Sequence, residues 1–256
     1  MPLSYPQKVA FYRDGYFQVP GVVPRVMIEE ALRAINHSVG EGMPAERMTQ
    51  MRARTYCEEI ALSPVIHDLF NRTPAFEMAE SLIGNGKVPE AGGAQIALRF
   101  PSLADRPGAP SPHLDGMYSP HNGVPEGTIQ NFTALASVLL SDLDRENAGN
   151  FTVWPGSHHL YERWFQQNGW QSLLQGMPPV DLPPPRQILG RAGDVVFAHY
   201  MLGHTVGPHV GPHIRYALFF RLTSTEQQNH RYETMTDMWL DYEGMREVVE
   251  TERGAA

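Results

Sequence analysis

The sequence predicts a mainly β fold, a β-sandwich or jelly roll with flanking helices, on three observations. Short apolar runs rich in β-branched and aromatic residues follow one another after residue 88. Clusters of Pro and Gly separate these runs, as turns separate the strands of antiparallel sheets. Before residue 88 the apolar residues recur instead at helical spacing, and several prolines stand where helices would begin.

The first third of the chain is predicted to be largely helical. The expected elements are a helix capped by Ser4 and ended by Gly15, a short strand at 16–19, a helix that starts near Pro24, and helices at about 64–72 and 74–84. The remaining chain is predicted to supply the strands 94–100, 131–142, 151–154, 194–198 and 214–222, with one helix inserted between 156 and 175.

These elements predict one domain over 1–256. It consists of a helical part at about 1–87, a β core at about 88–224 and a closing helix at about 235–250. A chain of 256 residues with 42% hydrophobic content is long enough to bury one sizeable core.

The charge balance excludes several classes of partner. A net charge of −8 argues against a general nucleic-acid binder and against a protein that binds anionic membranes. Cys57 is the only cysteine, so disulfides and a cysteine-based zinc site are excluded. With no apolar signal core near the start and no bilayer-spanning stretch, we expect a cytoplasmic protein with a small-molecule substrate.

The pair His113 and Asp115 is the most informative motif. Side chains two residues apart on a strand point to the same face, so an imidazole and a carboxylate would lie side by side. Together they form two thirds of the 2-His-1-carboxylate face that holds non-haem Fe(II) and leaves other coordination positions open. A lone His-x-Asp also arises by chance, as a solvated His before a turn.

A third ligand is expected from the other end of the β region, where four histidines crowd together at positions 199, 204, 209 and 213. His204 follows the predicted strand 194–198 by a short turn, which makes it the best candidate. We interpret His209 and His213 as loop residues. His199, at the end of the strand, belongs to the core or supports a ligand.

Arg215 interrupts an otherwise apolar strand. Such an arginine must face solvent or pair with an anion, since an unpaired buried charge is costly. Its guanidinium suits a dicarboxylate cosubstrate that a metal would hold at the other end. An ion pair with an internal Asp or Glu is the alternative.

In several segments the chain resembles the phytanoyl-CoA dioxygenase family of Fe(II)/2-oxoglutarate-dependent oxygenases. The matching segments are Phe11 to Tyr16, His113-Leu114-Asp115, Asn147 to His158 with its Pro-Gly-Ser-His ending, Gly193-Asp194-Val195-Val196-Phe197, and His204 with Arg215. The resemblance implies a double-stranded β-helix (jelly-roll) core. It also implies that Fe(II), 2-oxoglutarate and O2 are used to hydroxylate a small molecule, with release of succinate and CO2.

The resemblance also implies roles for individual residues. His113, Asp115 and His204 would bind the iron, and Arg215 would bind the distal carboxylate of 2-oxoglutarate. Gln95, Thr133 and Asn131 would help to hold the cosubstrate, although strand residues of this kind are often simply polar. Related halogenases carry Ala or Gly in place of Asp115, so a carboxylate here predicts hydroxylation or a related oxidation.

Candidates for substrate contacts come from the β region and from the loop after Asp115. The residues considered for them are Arg99, Met117, Tyr118, Trp154, Tyr200 and Arg221. Such aromatic and apolar residues are more often plain packing, and either arginine can be part of an ordinary ion pair. Two other functions are compatible with these residues. The first is a cupin-type isomerase or hydrolase, which would use the metal site without 2-oxoglutarate. The second is a binding module, which would use the fold without metal-dependent turnover.

Overall fold

The computed structural model describes residues 2–102 and 108–255, and its strands form two antiparallel sheets. The strands are β1 (Tyr16–Val19), β2 (Gln95–Arg99), β3 (Ala134–Leu139), β4 (Phe151–Val153), β5 (Arg186–Gln187), β6 (Val195–His199), β7 (His204–Val206) and β8 (Arg215–Leu222). The larger sheet has the order β1-β6-β3-β8-β2, and the smaller has the order β5-β4-β7. With the helices described next, these sheets confirm the prediction of a mainly β fold with helices.

The helices lie mostly where their capping residues predicted them. They are α1 (Tyr5–Asp14), α2 (Arg25–Gly40), α3 (Met48–Ala53), α4 (Pro64–Asn71), α5 (Pro74–Ile83), α6 (Ser157–Asn168) and α7 (Arg246–Gly254). Gly15 ends α1 with a positive φ of 78°, and its N–H donates to the carbonyl of Phe11. Both α4 and α5 begin with a proline, whose missing N–H costs nothing in the first helical turn.

The closing helix is shorter and starts later than predicted. Instead of a helix at about 235–250, the chain forms 3-10 turns at Glu233–Met235 and Glu243–Met245 before α7. Between these turns Trp239 and Tyr242 pack their rings against Phe11 of α1, at centroid distances of 6.0 and 5.6 Å. We attribute the difference to this aromatic packing, which holds the segment against the core in an irregular path.

The larger sheet is buried on both faces, and β8 shows how. Phe220 stacks on Phe70 of α4 at 5.3 Å, while Phe219 contacts Phe151 of the smaller sheet at 5.5 Å. Because strand side chains alternate, Arg215 and Arg221 lie on the same face of β8 as Phe219. That face, between the two sheets, is where the candidate site forms.

The register of β2 against β8 brings a second set of side chains to the same face. Gln95 pairs with Phe219, and Arg99 pairs with Arg215. The predicted helical part also contributes a strand to this sheet, since β1 pairs with β6 at its edge. Among residues 2–102 and 108–255, no helix is both long enough and apolar enough to cross a bilayer.

Candidate metal centre and its cavity

His113, Asp115 and His204 converge at one point of the fold. Their potential ligand atoms lie within 4.8 Å of one another. Oδ1 of Asp115 is 3.4 Å from Nε2 of His113 and 3.6 Å from Nε2 of His204. Two imidazole nitrogens and one carboxylate oxygen, arranged so that they could bind one face of a metal ion, make a donor set that suits Fe(II).

Backbone pairing between distant segments brings these candidate ligands together. His113 and His204 form an isolated antiparallel bridge, in which each N–H donates to the carbonyl of the other at 3.0 and 3.2 Å. His204 is fixed in turn by β4, where it pairs with Val153. Residues 113–115 are therefore a single bridge followed by a turn and not the regular strand expected, yet both side chains reach the same point.

The turn after Asp115 depends on Gly116. Its φ is +81°, a left-handed conformation that side chains rarely adopt, and its carbonyl accepts from the N–H of Gln130 at 2.9 Å. A Cβ at this position would collide with the carbonyl oxygen of Gln130. Gly116 thereby fixes the course of the chain at the ligand.

A backbone contact orients the ring of His204. Its Nδ1 lies 2.9 Å from the carbonyl oxygen of Leu202, which can only accept a hydrogen bond. We therefore assign the proton to Nδ1, and the Nε2 lone pair is left pointing toward Asp115. The side chain of His204 is 8% exposed and that of His113 is 48% exposed, so the site is buried on one side and open on the other.

Asp115 is held as a carboxylate by its neighbours. Burial alone would raise its pKa, but the positive charge of the Arg221 guanidinium holds the pKa of Asp115 well below its usual range. Arg221 contacts Oδ2 of Asp115, so Oδ1 is the oxygen that faces the imidazoles. Gln95 braces this arginine by accepting from Nη2 at 2.9 Å.

A cavity of about 770 Å³ opens over the triad. Within the described part of the chain, its charged lining consists of one carboxylate, that of Asp115, and five arginines, with His113 and His204 beside them; the arginines are Arg52, Arg54, Arg99, Arg215 and Arg221. Met117, Tyr118, Phe151 and Phe219 contribute apolar surface. The cavity is large enough for a cosubstrate and a small organic molecule together.

Arg215 is buried and has no carboxylate partner among the described residues. Its Nε donates to the carbonyl of Gly149 at 2.8 Å, and its Nη1 donates to the carbonyl of Ala97 at 2.9 Å. Burial, and after it the nearby charge of Arg99, lowers the pKa of Arg215 to about 9. At neutral pH a fixed, desolvated cation thus lines the cavity, and it is stabilised by any anion that binds there.

Solved structures of Fe- and 2-oxoglutarate-dependent enzymes superpose on this chain. HygX from Streptomyces hygroscopicus, crystallised with nickel and 2-oxoglutarate, is 21% identical over 87% of this chain and 88% of its own, with a TM-score of 0.54. EctD from S. alaskensis, with 2-oxoglutarate and 5-hydroxyectoine, is 17% identical over 88% and 77%, with a TM-score of 0.57. The non-heme epimerase SnoN is 20% identical over 85% and 82%, with a TM-score of 0.53.

The chain has the fold of these enzymes. At such low identities the superposition establishes the fold alone. No protein-family model matches the chain, and no curated protein sequence is detectably similar to it.

Of the other residues that the sequence proposed for this enzyme fold, five line the cavity: Gln95, Arg99, Met117, Tyr118 and Arg221. Four are absent from the lining: Asn131, Thr133, Trp154 and Tyr200. Trp154 and Tyr200 are 5% and 3% exposed, and Tyr200 packs edge-on against Phe132 at 5.1 Å.

Thr133 and Asn131 are engaged by the C-terminal part of the chain instead. The hydroxyl of Thr133 accepts from the N–H of Ser224 at 2.9 Å and lies 3.5 Å from Oδ2 of Asp241. Asn131 donates to the carbonyl of Arg231 at 2.6 Å. These contacts engage the polar atoms of both side chains outside the cavity lining, and their part in holding a cosubstrate stays a prediction.

Sequence reasoning missed the contribution of the segment after α2. Arg52 and Arg54 from α3 and its end, and Tyr56 just beyond, all line the cavity. The only local signal was the spacing of two arginines within Arg52-Ala53-Arg54, in a chain whose net charge is negative. Nothing in that spacing connects the segment to His113, some sixty positions later.

Proposed function

We propose that the chain is a non-haem Fe(II)- and 2-oxoglutarate-dependent dioxygenase that hydroxylates a small organic molecule and releases succinate and CO2. The observation that carries the proposal is the convergence of His113, Asp115 and His204 in one cavity with the buried, carboxylate-free Arg215. The fold shared with HygX and EctD supports it, since both were crystallised with 2-oxoglutarate.

The residues present fit the metal. His113, Asp115 and His204 would hold Fe(II) by one face, and no other described group with metal-binding atoms converges on this point. When bound, Fe(II) supplies the redox chemistry that couples O2 and the decarboxylation of 2-oxoglutarate to oxidation of the substrate. The protein fixes the ligands, through the bridge of His113 to His204 and through Arg221 on Asp115.

Arg215 fits the distal carboxylate of 2-oxoglutarate. Two of its nitrogens are held by the carbonyls of Gly149 and Ala97, so the guanidinium is already oriented. Its remaining donors have no partner among the described residues. A carboxylate would supply that partner and would also compensate a charge whose burial is costly.

Three finer expectations are part of the same proposal. The two sheets would form a double-stranded β-helix, and the chain would be a cytoplasmic relative of the phytanoyl-CoA dioxygenases. The carboxylate of Asp115 would fill the coordination position that related halogenases leave to chloride. Hydroxylation, or a related oxidation, is therefore the expected outcome.

The proposal is tested by titrating 2-oxoglutarate into the Ni(II)-loaded protein in a calorimeter, and by measuring succinate from the Fe(II)-loaded protein in air. We expect binding that requires the metal, and succinate formation that requires both Fe(II) and 2-oxoglutarate. A protein that binds metal but not 2-oxoglutarate would instead be a cupin-type isomerase or hydrolase. One that binds neither would be a binding module.

A further inference from the structure

The cavity carries more positive charge than binding of the metal and of 2-oxoglutarate requires. Among residues 2–102 and 108–255, five guanidinium groups and one carboxylate line the cavity and give this lining a formal charge of +4, in a chain whose net charge is −8. A divalent metal and a dianionic cosubstrate cancel each other and leave this excess unchanged. Like charges gathered in a cleft destabilise the protein unless a ligand of opposite charge compensates them.

Two of the five arginines already have a role. Arg221 is paired with Asp115 at 2.9 Å, and Arg215 is oriented for the cosubstrate. Arg52, Arg54 and Arg99 remain. No carboxylate within residues 2–102 and 108–255 lies within 4.0 Å of these three, although other surface arginines of the chain have such partners, as Arg47 does in Glu58.

Arg52 and Arg99 belong to one cluster with Arg215, and Tyr56 stands among them. Arg99 is the cross-strand neighbour of Arg215, a position where like charges repel. Burial, and after it the charge of Arg52, lowers the pKa of Arg99. Tyr56 lies close enough to Arg52, Arg99 and Arg215 for each of the three charges to act on its hydroxyl. Its ring packs edge-on against Phe100 at a centroid distance of 5.9 Å.

Gly149 makes room for this cluster. Its φ is +75°, and a Cβ here would lie 2.9 Å from Cγ of Arg99 and 3.5 Å from Cβ of Arg215. The two arginine side chains therefore pass directly beside a backbone that has no side chain. A side chain at position 149 would therefore collide with the stem of Arg99.

Arg54 extends the positive surface to the loop that follows the metal ligands. A Cβ at Gly123 would lie 2.8 Å from Nη2 of Arg54, so the guanidinium rests against this loop. Asn122 and Val124, on either side of Gly123, both line the cavity. Arg52 and Arg54 are exposed and accessible to a ligand, whereas Arg215 is buried.

We propose that the substrate carries an anionic group, a carboxylate or a sulfate or phosphate ester, which Arg52 and Arg54 bind with Arg99 beside them. This inference rests on the proposed function, because it treats Arg215 as the cosubstrate's partner. It narrows the substrate to an acid with an oxidisable apolar part, since Met117, Phe151 and Phe219 line the same cavity.

A matched pair of fluorescent probes tests the inference without knowledge of the substrate. The anion 8-anilinonaphthalene-1-sulfonate is titrated into the protein loaded with Ni(II) and 2-oxoglutarate, and the uncharged N-phenyl-1-naphthylamine serves as the control with the same skeleton. We expect R52Q and R54Q each to raise the Kd of the anion about 5-fold to 10-fold. R25Q, at an arginine that is 91% exposed on α2, is the control variant.

Several outcomes would overturn the inference. The first is equal binding of both probes, and the second is a Kd of the anion that R52Q and R54Q leave unchanged. The third is a loss of 2-oxoglutarate affinity as large as the loss for the anion, since the cluster would then serve the cosubstrate alone. R52K and R54K, which keep the charge, should retain most of the affinity if charge is what the site recognises.

The experiment separates this inference from the proposed function. If the wild-type protein binds no 2-oxoglutarate, the proposed function fails. The same probe titrations, done on the protein without 2-oxoglutarate, then still show whether an anion site exists. If 2-oxoglutarate binds and the anion does not, the inference alone fails. Where the anionic probe does bind, its displacement by benzoate, phenyl sulfate and phenyl phosphate identifies the preferred anion.

Discussion

Arg221 directs both Nε and Nη2 at the same oxygen of Asp115, Oδ2, at 3.0 and 2.9 Å. The other oxygen, Oδ1, faces Nε2 of both His113 and His204. One oxygen of the carboxylate is thereby compensated by a guanidinium, and the other is left free for the metal that we propose. An outer partner of this kind fixes the orientation of a ligand as well as its charge.

Replacing Arg221 with glutamine should weaken metal binding about 10-fold to 100-fold, the usual range for loss of an outer partner of a ligand. R221K keeps the charge but loses the planar fork, so its metal affinity should lie between those of R221Q and the wild type. Calorimetric titration of Ni(II) measures the affinity. An R221Q protein that binds nickel as tightly as the wild type would remove Arg221 from the metal site.

Replacing Asp115 with alanine should abolish hydroxylation and reduce metal affinity by at least about 100-fold, because a charged ligand is lost and Arg221 is left without its partner. Succinate formation and nickel binding are measured together, and circular dichroism checks the fold. Retained turnover by D115A would contradict its assignment as a ligand.

Replacing Arg215 with glutamine should raise the Kd of 2-oxoglutarate by about 30-fold to 100-fold, since a charge-assisted contact made by a desolvated guanidinium is lost. Nickel affinity in the absence of 2-oxoglutarate reports separately on the metal site. R215K keeps the charge and is the second variant, in case removal of the buried cation disturbs β8. Unchanged 2-oxoglutarate binding in both folded variants would refute the role of Arg215.

The turn at the metal site should be intolerant of a side chain. G116A combines a positive φ with a collision at Gln130, and we expect it to destabilise the fold by at least about 3 kcal/mol. Gly127 is a matched control, since its φ is +75° and nothing lies within 4 Å of a Cβ there. G127A should cost only about 1 kcal/mol. Urea unfolding measures both, and equal losses would show that the close approach at Gly116 is unimportant.

Two buried histidines should make the protein sensitive to mild acid. Burial lowers the pKa of His199 to about 3 and places that of His158 well below its usual value of 6.5. The unfolded chain therefore binds protons below pH 6.5 that the folded chain does not, and stability falls as the pH decreases from there toward 3. Each histidine should contribute a loss of about 2 kcal/mol between pH 7.5 and 5.0.

Urea unfolding at these two pH values measures that loss. In H158Q the contribution of one histidine disappears, so the difference in stability between the two pH values should shrink even if the variant is less stable at both. An equal difference in H158Q and the wild type would show that His158 does not account for the acid sensitivity.

Much of the fold was predictable because its signals are local. The cap at Ser4 and the stop at Gly15 define α1, and a run of apolar residues defines β8. The closing helix was misplaced because its path is set by the contacts of Trp239 and Tyr242 with α1, on the far side of the sequence. Local periodicity carries no information about such partners.

The candidate site was likewise predictable only in part. From the sequence alone, His113, Asp115, His204 and Arg215 could be named as candidates, because residue type and spacing restrict what can bind a metal or an anion. The folded chain was needed to show that Arg221 compensates Asp115, and that Thr133 accepts a hydrogen bond from Ser224. It was also needed to show that Arg52 and Arg54 reach the cavity. Side-chain direction follows from strand alternation, which is local, whereas the choice of neighbour depends on the register and packing of segments far apart in the chain.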